Sequence, residues 1–110
     1  MPLRILIVED DRNSREVLTE LLSDEGHTVD ACPAAAKALA QLETTTYDVL
    51  LTDLVMPGMS GIELVRIGRT SAPHMRCFVM TGLHPVGDDP DVRWIQKPID
   101  FDHLLERLGN

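Results

Sequence analysis

A doubly wound α/β fold built on a five-stranded parallel sheet is what this sequence predicts, on three observations. Short runs of branched apolar residues alternate with amphipathic segments, the arrangement expected when helices cover both faces of a sheet. The runs end in polar or turn-forming residues, as in "VLLTDLVMPG" at 49–58, where Asp53 closes a strand at a place where burying charge is costly. The length of 110 residues suits one core and is too short for two, so residues 1–110 are expected to form one domain.

The elements follow in order. "RILIV" (4–8) reads as the first strand. "NSREVLTELLSDEG" (13–26) reads as a helix with Asn13 as cap and Glu16 three residues on, Val17, Leu18, Leu21 and Leu22 on one face, and Gly26 at its end. "HTVDAC" (27–32) is an edge strand whose alternation turns Thr28 and Asp30 to solvent. "PAAAKALAQLE" (33–43) places Pro33 in the first turn of an alanine-rich helix that can pack close to a sheet. "DVLLTD" (48–53) is a strand buried on both faces. Ser60 and Glu63 suit a capping box for the helix "GIELVRIGR" (61–69).

"RCFVMTG" (76–82) is the fourth strand. "LHPVGDDPDV" (83–92), with its prolines and aspartates, has no helical face and reads as a loop or broken turn. "RWIQ" (93–96) is a short fifth strand, and "DFDHLLERLG" (100–109) is a helix with Asp100 as cap and Phe101, Leu104, Leu105 and Leu108 at helical spacing. Right-handed crossovers then favour a flavodoxin-like sheet in the order 2-1-3-4-5, with the fourth helix missing or reduced.

Composition narrows the function. Ten Lys+Arg against 18 Asp+Glu give a net charge of −8, which repels phosphate backbones and anionic lipid heads, so neither a direct nucleic-acid nor a membrane partner is expected. Cys32 and Cys77 have no second cysteine or histidine at ligand spacing and read as buried free thiols. The opening "MPLRILIVEDD" has an apolar run that acids cut short, far below a signal peptide's core or a membrane span. The cytoplasm is the expected location.

In such sheets ligands bind beyond the carboxyl ends of the strands, beside the point where strand order reverses. The residues there are Glu9, Asp10 and Asp11 after the first strand, Asp53 at the third, Thr81 at the fourth and Lys97 after the fifth. Glu9, Asp10 and Asp53 should converge, and carboxylates so close raise one another's pKa unless a cation neutralises them. Magnesium fits best, since it takes one or two carboxylates, keeps waters and favours a phosphate partner. Lys97 can pair with a carboxylate or a phosphoryl oxygen, and Thr81 offers a hydroxyl. The set suits a phosphoryl group on Asp53, with the carboxylate as in-line nucleophile. Each residue alone has a plainer reading: a turn-forming acid at Asp53, a helix cap at Asp10 or Asp11, turn chemistry at Thr81, a solvated Lys97. Asp11 stands outside the expected metal shell.

The pieces "ILIVEDD", "LLTDLVMPGMSGIEL", "VMTG" and "QKP", in this order and each at a strand end, resemble the receiver domains of bacterial two-component response regulators. The resemblance spans essentially the whole chain. It implies that Asp53 is the phosphoacceptor, that Glu9 and Asp10 hold magnesium with Asp53 and the backbone carbonyl of Val55, and that Thr81 and Lys97 grip the phosphoryl group. It also implies a cis Lys97–Pro98 bond, tolerable because proline follows. The implied partners are a sensor histidine kinase or phosphotransfer protein and an unidentified downstream protein. The chain would then be a signalling switch rather than a turnover enzyme.

Departures from the family pattern carry their own expectations. The segment between Thr81 and Lys97 is short and holds Pro85 and Pro90, so the usual dimer face is expected to be unused and the chain a monomer. Trp94 stands where the family has Tyr or Phe; it either turns inward as a switch or covers the sheet where a helix is lacking. Val55 and Leu83, two positions after Asp53 and Thr81, are apolar and cannot orient an attacking water, which predicts slow self-hydrolysis.

Two rivals remain. An aspartyl-nucleophile phosphatase would need a second acid where Val55 stands. A degenerate receiver acting only by protein interaction would have lost the acceptor or the lysine, and both are present. Nothing after "HLLERLGN" reads as an output domain, so a stand-alone regulator and a piece of a longer regulator or hybrid kinase are both open.

Overall fold

A computed structural model describes residues 2–82 and 89–109. The elements are β1 (Arg4–Val8), α1 (Arg12–Asp24), β2 (Thr28–Cys32), α2 (Ala35–Thr44), β3 (Val49–Asp53), α3 (Gly61–Ser71), β4 (Arg76–Thr81), β5 (Arg93–Gln96) and α4 (Phe101–Gly109). The sheet is parallel throughout, in the order β2-β1-β3-β4-β5. The flavodoxin-like topology expected from the sequence is therefore the fold of this chain. Between β4 and β5 the described residues 89–92 form a turn closed by the Val92 N–H donating to the Asp89 carbonyl at 3.1 Å. The rest of the expected loop, residues 83–88 with Leu83 and Pro85, lies outside the described residues. The fourth helix of this chain is the short C-terminal one.

Side chains of a strand alternate between faces, and here each face has its own core. Leu6 and Val8 of β1, Leu50 of β3 and Cys77 and Val79 of β4 pack with Ala35 and Ala38 of α2 and Leu64 and Val65 of α3. On the other face Ile5, Ile7, Val49, Leu51, Phe78 and Met80 meet Leu18 and Leu22 of α1 and Leu104 and Leu108 of α4. Continuous apolar runs in β1 and β3 follow from this double coverage. Both cysteines are buried free thiols, and burial pushes the Cys77 thiol up to about 11.

Several local expectations are corrected. Asp11, not Asn13, is the N-cap of α1, its side chain accepting the Ser14 N–H at 2.9 Å. The helix starts earlier because the chain turns directly out of β1, and the Asp11 N–H is itself held by Glu9 Oε2 at 3.4 Å. Pro33 precedes α2 rather than sitting in its first turn; Ala34 is the cap position and makes no side-chain bond. Thr28 is exposed, but Asp30 is half-buried, since the Tyr47 hydroxyl donates to Asp30 Oδ2 at 2.6 Å and Arg4 lies 3.9 Å from the same oxygen. In α4 Leu104 and Leu108 are buried while Phe101 remains 38% exposed. Ser60 caps α3 as expected, accepting the Glu63 N–H at 3.2 Å, and Asp100 accepts the His103 N–H at 3.1 Å at the start of α4.

Two features shape the β5 side. Arg69 of α3 donates to the Met75 and Pro73 carbonyls at 2.5 and 2.7 Å and lies 3.3 Å from Asp91, while Arg66 lies 3.6 Å from Asp89. The turn that leads into β5 is thus tied to α3. At the open edge of the sheet the Arg107 guanidinium donates to the Trp94 carbonyl and sits over the Phe78 ring, 5.4 Å from its centre. The Trp94 side chain is half-buried against the α2/α3 core.

Candidate functional site

The site forms where strand order reverses. In the register of β1 and β3, Val8 stands opposite Thr52, so the residues that follow, Glu9 and Asp53, leave the sheet side by side. Candidate ligand oxygens of Glu9, Asp10 and Asp53 all lie within 4.8 Å of one another. Glu9 is 1% exposed and Asp53 4%, while Asp10 is exposed. Burial raises the Asp53 carboxyl above the usual carboxylate range, and the hydrogen bond and charge of Lys97 act against that rise.

Lys97 arrives from the far side. Its N–H donates to the Thr81 carbonyl at 2.7 Å, its bond to Pro98 is cis, and its ammonium lies 2.5 Å from Asp53 Oδ1 and 3.4 Å from Glu9 Oε1. Thr81 is buried at the end of β4. Glu9, Asp10, Asp53, Val55, Thr81 and Lys97 all line one cavity of about 230 Å³. The Val55 side chain is 74% exposed. Trp94 is not among the lining residues; it borders a separate groove with Pro98, Asp100 and His103.

Arg15 is the contributor that sequence reasoning missed. Its guanidinium donates to the Glu9 carbonyl at 2.9 Å and approaches the Asp10 carbonyl at 3.5 Å, so a side chain of α1 fixes the backbone of the acidic pair. A cation one turn into the helix after "EDD" was the available signal. Asp11 also lines the cavity, but its carboxylate is engaged as a cap, and the Ser14 hydrogen bonds hold its pKa below the usual range.

The donor set fits magnesium. Three carboxylates meet one ammonium, leaving negative charge in excess among groups two of which are buried, and every carboxylate offers the hard oxygen this ion prefers.

The family model described as the response regulator receiver domain matches residues 5–109. The chain belongs to that family. The receiver protein CpdR of Brucella abortus is 34% identical over 96% of this chain and 92% of its own length. The two-component response regulator PhoP of Pseudomonas aeruginosa is 33% identical over 97% of the chain. This receiver domain spans about half of PhoP, 50% of its length. Among solved structures, the response regulator TrrA of Thermotoga maritima, in complex with Mg(2+)-BeF, superposes with a TM-score of 0.86 at 30% identity, covering 99% of this chain and 97% of that one.

Proposed function

We propose that this receiver domain is a phosphorylation-dependent switch in which Asp53 takes a phosphoryl group from a phosphohistidine of a sensor kinase or phosphotransfer protein. The observation that carries the reading is the Lys97 ammonium 2.5 Å from Asp53 Oδ1, inside a cavity that also gathers Glu9 and Asp10. A carboxylate buried beside one fixed cation is held ready as a nucleophile. In the transfer a P–O bond forms to the Asp53 carboxylate as the donor's P–N bond breaks, its electron pair returning to the imidazole nitrogen.

Glu9, Asp10, Asp53 and the Val55 carbonyl would hold magnesium, which supplies charge neutralisation for the phosphoryl oxygens when bound. Lys97 pairs with one phosphoryl oxygen and the Thr81 hydroxyl donates to another. The modified side chain carries about −1.5 to −2 charge, and drawing Lys97 and Thr81 toward it biases a neighbouring surface for a downstream protein. The domain acts in the cytoplasm as a monomeric binding module with a self-modifying site. Val55 and Leu83, two positions after Asp53 and Thr81 in the sequence, carry no polar side-chain group to orient an attacking water, so the phosphorylated state is slow to hydrolyse.

Intact mass after incubation with acetyl phosphate and magnesium tests this. One added phosphoryl group that disappears in Asp53→Asn supports the reading; no mass gain in the parent protein refutes it.

A further inference from the structure

Gly26 and Gly58 have φ of +92° and +87°, and a Cβ built on either meets nothing within 4 Å. They are glycines for reasons of backbone conformation. Gly61, the first residue of α3, is the reverse case. Its φ is outside the left-handed region, so other residues can adopt its backbone. A Cβ there, however, would stand 2.1 Å from the Asp53 carbonyl oxygen, 3.0 Å from the Asp53 carbonyl carbon and 3.1 Å from Leu54 Cα. All three are main-chain atoms, with no flexible end to swing away.

Those atoms are fixed from the other directions too. The Gly61 N–H donates to the Leu54 carbonyl at 2.8 Å, and the Leu54 N–H donates to the Met80 carbonyl of β4 at 2.9 Å. The buried Thr52 hydroxyl donates to the Asp53 carbonyl at 3.0 Å. The peptide unit that carries the Asp53 side chain is therefore clamped between β4, Thr52 and the bare Cα of Gly61.

We propose that Gly61 is a positioning residue for Asp53, setting how far its carboxylate reaches toward Lys97, Glu9 and Asp10; this rests on the reading of Asp53 as the phosphoacceptor. A methyl group at residue 61 must open roughly 1 Å between α3 and the end of β3, since it would otherwise sit 2.1 Å from an oxygen. A misplacement of about that size costs on the order of 10²-fold when in-line geometry is required. In the assay reaction the phosphorus–oxygen bond of acetyl phosphate breaks, acetate leaves with the electron pair, and a P–O bond forms to Asp53.

The experiment follows acetyl phosphate labelling of the full chain at saturating magnesium over a range of donor concentrations. Gly61→Ala should lower the maximal rate constant about 100-fold with the half-saturating donor concentration within twofold of the parent. In the metal-free protein the NMR signal of the Lys97 ammonium should move in Gly61→Ala. Gly68→Ala, on the same helix, should show neither effect, because its Cβ meets only the side-chain ends of Leu42 and Met75 at 3.2 and 3.5 Å. A rate constant lowered less than tenfold, or an unmoved Lys97 signal, overturns the proposal. If Gly61→Ala does not fold, Thr52→Val carries the test, because it releases the same carbonyl without adding an atom that collides; an unchanged maximal rate constant overturns the proposal, and a fall with unchanged half-saturation supports it. A parent protein that takes no label on Asp53 defeats the functional reading itself, whereas a labelled parent with an equally fast Gly61→Ala defeats the positioning role alone.

Discussion

The Lys97 ammonium and Asp53 Oδ1 stand 2.5 Å apart although one follows β5 and the other closes β3. The Asp53 side chain is almost wholly buried and that of Lys97 is about a third exposed, so the pair is screened on one side only. Removing a single partner of a fully buried pair costs about 3–5 kcal/mol, and solvent access at Lys97 reduces that here to about 1–2 kcal/mol. Lys97→Met should lower urea stability by this amount. Asp53→Asn in the same background should restore part of it, because the carboxylate nearest the lost ammonium is then gone while Glu9, 3.4 Å from that ammonium, still lacks its cation. Additive losses in the double variant would show that the two side chains are not coupled.

Magnesium should raise the melting temperature. A ligand that binds only the folded state stabilises it by about 2.7 kcal/mol when present at 100 times its dissociation constant. Asp10 contributes a carboxylate to the acidic cluster and is exposed, so Asp10→Asn removes a proposed ligand without opening the core. The magnesium-induced rise should vanish in that variant and reverse with a chelator in the parent protein. An equal rise in both would place the ion elsewhere.

Tyr47 provides a pH signature at the opposite end of the sheet. Burial and the hydrogen bond to Asp30 raise its pKa to about 12, against about 10 in an unfolded chain. The stabilisation is therefore complete below pH 10 and lost as pH rises through 12. The chain has one tyrosine, so tyrosinate absorbance should titrate near 12 in the folded protein. Tyr47→Phe should flatten the alkaline loss of stability while costing about 1 kcal/mol at neutral pH for the missing hydrogen bond. Titration near 10 in the folded state would contradict the burial of that hydroxyl.

Arg69 joins the end of α3 to two carbonyls and to Asp91, whereas Arg66, itself mostly exposed, makes a single pair with the half-buried Asp89. Arg69→Leu should cost about 1–2 kcal/mol, since hydrogen bonds to charged groups count for more than neutral ones. Arg66→Gln should stay within about 0.5 kcal/mol. Urea midpoints measured in low and in 1 M salt separate the two effects, because salt screens the ion pairs and leaves the carbonyl bonds in place. Equal losses from both substitutions would mean that the ion pairs alone hold the turn.

Much of the architecture was readable because it follows from periodicity. Runs such as "ILIV" and "VLL" are apolar at every position since helices lie on both faces, and the carboxyl ends of the strands then locate Glu9, Asp53, Thr81 and Lys97 without further information. What could not be read depends on how side chains turn in space. Asp11 and Asn13 are both good caps, and the choice falls to Asp11 through the path of the chain out of β1. Asp30 has the alternation of a solvent-facing residue, but Tyr47, remote in sequence, brings a hydroxyl to it. Arg15 bends back to the Glu9 carbonyl from a helix face that its sequence position alone does not distinguish. Gly61 looked like an ordinary start of a helix, and only the approach of α3 to the β3 main chain separates it from the turn glycines.

The contact between Arg107 and the Trp94 carbonyl has a meaning beyond local satisfaction. The outer strand of a sheet is a template on which other chains can add, and β5 is such a strand. A foreign segment seeking to extend the ladder there must first evict a guanidinium seated on the Phe78 ring. The last helix of the chain thereby occupies one backbone acceptor of the outer strand as well as covering the core.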